Sequence, residues 1–159
     1  KMGVKIGENS KIQGEVIIDY SHFWHVKIGD NVTIAPRVHI LAHDASTVLH
    51  TGYAKIGKVD IQDGVFIGAG TIVLPGVIIG ENSIIGAGSV VVNNIPENSV
   101  AVGSPAKVVS TLADYLEKIN LQMNDYPTFE EEYTLRQGVS KEKRQKMNDE
   151  MKDRYGFVN

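Results

Sequence analysis

Residues 61–96 read Ile61-Gln-Asp-Gly-Val-Phe, Ile67-Gly-Ala-Gly-Thr-Ile, Val73-Leu-Pro-Gly-Val-Ile, Ile79-Gly-Glu-Asn-Ser-Ile, Ile85-Gly-Ala-Gly-Ser-Val and Val91-Val-Asn-Asn-Ile-Pro96. Every unit of six opens on a β-branched aliphatic residue. The fifth place holds Val65, Thr71, Val77, Ser83, Ser89 and Ile95, and glycine recurs in the second place at Gly68, Gly80 and Gly86. Neither a 3.6-residue nor a two-residue period returns an apolar side chain at every sixth position. A fixed hexapeptide repeat predicts a parallel β-helix, a triangular coil in which each hexad supplies one short flat side. The first residue of each hexad is then expected to point to the axis, and the second-place glycines to turn the chain at the corners. Ile61 and Ile79 should stack as rungs of an internal ladder. Each such rung contributes roughly 1.5–3 kcal/mol, and only neighbouring coils can bury it.

Outward from this stretch the hexads reach back to Ile6, with further units opening at Ile12, Ile18, Ile28, Ile34 and Ile40. The period slips twice. The first slip is Ser21-His22-Phe23-Trp24-His25, and the second, longer one runs from Ala42 to Asp60 and holds His43, Asp44 and His50. Insertions in a solenoid emerge at corners and commonly carry the binding face. Beyond Pro96 a turn-rich segment, 97–107, is expected to close the last coil. From Ser110 the period becomes helical, with Leu112, Leu116, Ile119 and Met123 on one face and Pro127 as a stop. Thr111 and Asp114 have capping-box spacing. A helix there is expected to cover the open end of the coil. The charged segment 140–154 predicts a solvated helix. The fold class is therefore all-β, a parallel β-helix domain over residues 1–110 with an excursion loop at about 42–60, followed by a C-terminal helical extension over 111–159.

Composition excludes several classes. Net charge is −3, and no long basic run offers a surface for nucleic acid. The absence of cysteine removes disulfides, a thiol nucleophile and thiolate metal sites. Apolar runs are too short for a transmembrane segment. The start of the chain, Lys1-Met2-Gly3-Val4, lacks the apolar core of a signal peptide, so a cytoplasmic location is expected. Walker, nucleophile-elbow and dinucleotide fingerprints are missing as well.

The five histidines, His22, His25, His39, His43 and His50, all lie in the first half of the chain, at or near the two slips. His43 stands where the coil breaks. An imidazole on a loop beside a rigid wall suits general base catalysis, because its ordinary pKa lies near neutrality. Asp44, next in sequence, could orient that ring or cap its own turn.

The hexads, the run Asn31-Val-Thr-Ile-Ala-Pro-Arg-Val-His-Ile-Leu-Ala-His43-Asp44, the two Ile-Gly-Ala-Gly units and Gly103-Ser-Pro-Ala-Lys107 together resemble the left-handed β-helix acyltransferases. Within these the chain is most similar to the sugar O-acetyltransferases, the branch of maltose, galactoside and capsular-polysaccharide enzymes. The likeness covers residues 4 to about 110. It implies the left hand of the coil, which departs from the usual right-handed crossover. It further implies a homotrimer, acetyl-CoA as acyl donor and a saccharide acceptor, as in polysaccharide biosynthesis. Residue by residue, His43 matches the family's catalytic base. Ala69 and Ala87 match positions whose backbone groups bind the pantetheine arm, and Lys107 matches a basic residue that meets the nucleotide phosphates. Asp19, Ser21 and His22 lie where relatives grip the acceptor sugar. Val92 falls where some relatives carry threonine, so one hydroxyl contact to the cofactor is missing. The resemblance assigns no metal ligands. Trp24 and Phe23, apolar residues in the first slip, are candidates for the trimer contact.

The mechanism this implies is direct acyl transfer in a ternary complex, with His43 taking the proton from a sugar hydroxyl. Three other readings stand beside it. One is acetylation of an amino-sugar nitrogen. Another is a metal-dependent hydratase resembling the gamma-class carbonic anhydrases, with His39 and His43 sharing a zinc; its three ligands should converge from adjacent flat faces, whereas His43 and His50 belong to a loop. The third, a non-enzymatic solenoid, predicts regular outward ladders without a histidine-bearing excursion.

Overall fold

The computed structural model describes residues 3–152 and 154–159. Lys1 and Met2, part of the N-terminal stretch read above, and Asp153, in the charged segment, lie outside the described residues. The chain divides into two compact units, residues 1–113 and 114–159.

The first unit is built of very short strands visited in rotation. One turn comprises β1 (Lys5–Ile6), β2 (Lys11–Ile12) and β3 (Ile17–Ile18), and the next β4 (Val26–Ile28), β5 (Thr33–Ile34) and β6 (His39–Ile40). An excursion follows, with β7 (His43–Asp44), the single-turn helix α1 (Val48–Thr51) and β8 (Lys55–Ile56). Two more turns comprise β9 (Val59–Ile61), β10 (Phe66–Ile67) and β11 (Ile72–Val73), then β12 (Ile78–Ile79), β13 (Ile84–Ile85) and β14 (Val90–Val91). The unit closes on β15 (Ser99–Val102) and β16 (Lys107–Thr111).

Each strand of the coil pairs in parallel with the strand one turn away, which yields three sheets of order β1-β4-β9-β12, β2-β5-β10-β13-β15 and β3-β6-β11-β14, while β7 and β8 pair antiparallel within the excursion. β16 adds to the second sheet as an antiparallel edge beside β15. Register follows the hexads: Ile6, Ile28, Ile61 and Ile79 are partners in turn, and Ile95 bridges to Ile79. The first-place residues Ile61, Ile67, Val73, Ile79, Ile85 and Val91 are all fully buried. So are the fifth-place Val65, Thr71, Val77, Ser83 and Ser89. The core is thus an axial column fed by two positions of every six. Its polar members are satisfied along the coil: Ser89 Oγ donates to Gly86 O at 2.7 Å, and Ser83 Oγ to Pro96 O at 2.7 Å.

The glycines divide their work differently from the expectation. Turning falls to the fourth place, as at Gly76 with φ 87°, a left-handed conformation costly for any residue with a Cβ. The second-place glycines instead admit the next coil. A Cβ on Gly68 would lie 2.5 Å from the backbone nitrogen of Ala87, closer than real contacts allow.

The second unit follows from helix α2 (Leu112–Asp125), which spans the unit boundary, and contains α3 (Lys141–Met151). Ser140 caps α3, its Oγ accepting the Lys143 N–H at 3.2 Å, and no α3 residue is buried. The segment between folds through β17 (Thr128–Phe129), which pairs in parallel with β18 (Phe157–Val158) and buries Phe129. The pairing of β17 with β18 has no hexad or helical signature in the sequence.

Candidate active site

Asp19 follows directly on β3, and Ala42-His43 follow β6 one turn further along the coil. Because Ile18 pairs with Ile40, the residues after each strand meet at the same corner. Asp19 N–H donates to Ile40 O at 2.9 Å, which ties the two turns together there. The first slip folds over Asp19 as a tight turn: its Oδ1 accepts the N–H groups of Ser21 and His22, both at 2.9 Å. This is the local turn that aspartate favours, and it leads into a short 3-10 turn over Phe23–His25.

The other oxygen of Asp19 serves the second slip. Oδ2 accepts the backbone N–H of Ala42 and of His43 at 2.9 Å each, and lies 2.5 Å from His43 Nδ1. The Asp19 side chain is wholly shielded from solvent, whereas His43 keeps 35% of its side chain exposed. Burial pushes the Asp19 carboxyl up. The hydrogen bonds from His43 and from the Ala42, His22 and Ser21 backbone outweigh it and hold the group well below the ordinary carboxylate range. An ionised carboxylate can only accept, so Nδ1 of His43 carries the proton and Nε2 is left with its lone pair. Among the described residues no hydrogen bond engages Nε2. Charge-assisted pairing of this kind fixes both ring orientation and tautomer.

Ser21 Oγ sits between the rings, 3.2 Å from His43 Nδ1, 3.1 Å from His22 Nδ1 and 3.1 Å from Asp19 Oδ1. The His22 and His43 rings lie 5.1 Å apart between centroids. His22 also stacks on His25 at 6.0 Å and meets Trp24 at 5.3 Å. Trp24 is 59% exposed, so an aromatic surface continues outward from the imidazoles.

Asp19, Ser21, His22 and His43, expected in two different roles, therefore form one cluster. One expectation is corrected. Asp19 is not available to grip an acceptor, because its carboxylate is buried and both oxygens are engaged beneath His43. Asp44 does not orient the ring; its Oδ1 accepts the Ser46 N–H at 2.8 Å, a bond that also lowers its carboxyl pKa. His39 lies half-buried in β6 between Ile17 and Ile72, and His50 lies exposed on α1. The orienting role of Asp19 was the residue assignment that sequence reasoning missed. The signal was present: Ile18 and Ile40 open equivalent hexads on consecutive turns, so their successors had to meet.

Ala69 and Ala87 stand elsewhere. They follow β10 and β13 in the second sheet and precede β11 and β14 in the third, so they occupy a different corner of the coil. Gly88 N–H donates to Ala69 O at 2.8 Å, which stacks the two Ile-Gly-Ala-Gly turns directly. Ala87 is exposed and Ala69 half-buried. Lys107 opens β16, exposed, just after a loop in which Ala106 N–H donates to Val90 O at 2.8 Å. Within one chain the alanine corner thus lies before the strands of the third sheet and the histidine corner after them, at opposite strand ends. Among the described residues no helix is long and apolar enough to cross a membrane.

Residues 58–93 match the family model described as bacterial transferase hexapeptide (six repeats). The galactoside O-acetyltransferase of Lactococcus lactis is 47% identical over 90 residues, 57% of this chain and 42% of that protein. The chain thus spans well under half the length of that relative. The crystal structure of a maltose O-acetyltransferase from Clostridium difficile superposes with a TM-score of 0.56 at 32% identity, covering 67% of this chain and 68% of that one. A galactoside acetyltransferase solved in complex with coenzyme A superposes with a TM-score of 0.57 at 33% identity, covering 70% of this chain and 62% of that one. The repeat, its register and these similarities agree: the chain belongs to the hexapeptide-repeat acyltransferase family that holds the galactoside and maltose O-acetyltransferases.

Proposed function

We propose that the protein transfers the acetyl group of acetyl-CoA to a hydroxyl of a saccharide acceptor, with His43 as general base. The observation that carries this reading is the contact of buried Asp19 Oδ2 with the half-exposed His43 at Nδ1, which puts the proton on Nδ1 and leaves Nε2 its lone pair. A sugar hydroxyl is a weak nucleophile at neutral pH, and a positioned imidazole contributes about 10²–10⁴-fold. Nε2 takes the hydroxyl proton as the oxygen attacks the thioester carbonyl. The tetrahedral oxyanion is met by a backbone N–H. It then collapses with loss of the coenzyme A thiolate, which recovers the proton from the imidazolium. Asp19 stays ionised and stabilises the imidazolium while it lasts, a positioning role. Ser21 and His22, at the mouth of the same cluster, hold the acceptor.

Ala69 and Ala87 line the path of the pantetheine arm, their small side chains leaving room for it, and Lys107 pairs with the nucleotide phosphates. The two corners lie at opposite ends of the strands of one sheet. This supports a homotrimer in which the histidine corner of one protomer faces the alanine corner of the next, with Trp24 and Phe23 near that contact. We read the coil as left-handed, as in the related acyltransferases. Use of acetyl-CoA as donor supports a cytoplasmic location. The class of acceptor is tested by a free-thiol release assay with acetyl-CoA against free sugars, nucleotide sugars, lipid-linked units and polymers. Thiol release that depends on a hydroxyl-bearing saccharide supports the reading. Release only with amino sugars would move the chemistry to nitrogen.

A further inference from the structure

The same corner has the composition of a metal site that the acyl-transfer reading does not use. Asp19, His22 and His43 each offer one ligand atom, and these atoms lie within 4.8 Å of one another. Imidazole nitrogens suit zinc, copper and nickel rather than magnesium or calcium. The support beneath the rings is of the kind metal-binding histidines have. His43 gives one nitrogen to a buried carboxylate, and His22 has Ser21 Oγ on its Nδ1 at 3.1 Å. Such partners fix the ring and raise its basicity as a ligand. Both imidazoles are partly exposed, so an ion can reach them without unfolding the corner.

We infer that His22 and His43 chelate a divalent ion of the zinc class over the buried Asp19 carboxylate, and that this ion inhibits the enzyme by occupying Nε2 of His43. Solvent or an acceptor hydroxyl completes the coordination, since the two imidazoles supply only part of a tetrahedral set. Asp19 remains the outer partner of His43 because its oxygens already hold four backbone N–H groups. The chelation follows from the side-chain cluster alone. The inhibition rests on the proposed role of His43 as base.

The test uses the full chain with Zn²⁺ alone and with Co²⁺ alone. Calorimetry should show one ion per protomer, and Co²⁺ should give the absorption of a four-coordinate site. His22→Ala should weaken Zn²⁺ binding by tenfold or more. His22→Gln, which keeps a polar partner for Ser21, should do the same, guarding against a folding defect in either variant. Asp19→Asn spares both imidazoles and should weaken binding by about 10–100-fold, the usual effect of losing an outer partner. Absence of Zn²⁺ binding to the folded wild-type chain, or wild-type affinity in folded His22→Ala and His22→Gln, overturns the site. In the thiol-release assay Zn²⁺ should suppress turnover and a chelator should restore it. If Zn²⁺ binds through these residues and turnover is unchanged or rises, the inhibition is refuted and the base assignment of His43 falls with it, while the chelating site stands.

Discussion

Asp19 Oδ2 holds residue 43 twice, through the imidazole Nδ1 at 2.5 Å and through the backbone N–H at 2.9 Å. One buried carboxylate on one turn of the coil thus fixes both the ring and the main chain of a residue on the next. The His43 ring is held from the coil rather than from its own loop. With His43 as the proposed base, substitutions at residue 19 should change both rate and stability.

Asp19→Asn should lower kcat by up to the full contribution of the base, about 10²–10⁴-fold, because a neutral amide no longer stabilises the imidazolium. The KM for acetyl-CoA should change little. The same substitution should destabilise the fold by about 1.5–3 kcal/mol, the range for a hydrogen bond to a charged group. Steady-state kinetics and denaturant melts on one preparation read both quantities.

The depressed pKa of Asp19 makes its stabilisation depend on pH. Below the ordinary carboxylate range the unfolded chain binds a proton that the folded chain resists, so stability falls as pH falls. The contribution is complete above about pH 4 and declines as the medium becomes more acid. Melting curves of wild type and Asp19→Asn, taken from about pH 6 down to about pH 3, should converge toward the acid end. A constant gap would show that the Asp19 pKa is not depressed in the fold.

The solenoid itself was largely legible. Ile61, Ile67, Val73, Ile79, Ile85 and Val91 opened their hexads in sequence and close the axis in the structure. A period of six can arise only from stacked flat sides, so the residue pattern determined the register. The two slips were legible as insertions, but what Asp19 does was not. A carboxylate next to a histidine cluster in sequence reads equally as an acceptor ligand or an orienter, and only burial separates the two. For Asp44 the sequence left two roles open, orienting the ring or capping its own turn; adjacency along a strand points successive side chains apart, and the turn is what it serves. The β17–β18 pair escaped because two-residue strands carry no periodicity, and their pairing is set by a contact between residues far apart in sequence.

Gly68→Ala should be costly although alanine is a small residue. The added Cβ would press on the Ala87 backbone nitrogen at 2.5 Å and pry two coils apart at the proposed pantetheine path. Overpacking of this kind costs about 1–3 kcal/mol, and acetyl-CoA affinity should fall with it. Ala87→Trp, on the exposed side of the turn stacked on it, should weaken acetyl-CoA binding with the melting temperature nearly unchanged. Lys107→Ala should raise the KM for acetyl-CoA more than it lowers kcat, as loss of uniform binding does. Thermal melts with direct cofactor titrations distinguish the three.

Separation of the histidine and alanine corners predicts shared sites. Light scattering should give a particle near three times the 17.4 kDa chain mass. Co-expressed His43→Ala and Ala87→Trp chains, each inactive alone, should recover about one quarter of wild-type activity in randomly mixed trimers, because intact corners then meet across some interfaces. A monomer, or no recovery in mixed trimers, would place both corners' function within one chain.

The measurement that bears most directly on the account is kcat of His43→Ala. The buried carboxylate is not stranded by this change, since Oδ2 of Asp19 keeps the Ala42 and residue-43 backbone N–H groups. With His43 as the base, the variant should fold with nearly unchanged melting temperature and acetyl-CoA affinity, and its kcat should fall by about 10²–10⁴-fold. A folded His43→Ala protein that turns over at near the wild-type rate would contradict that assignment.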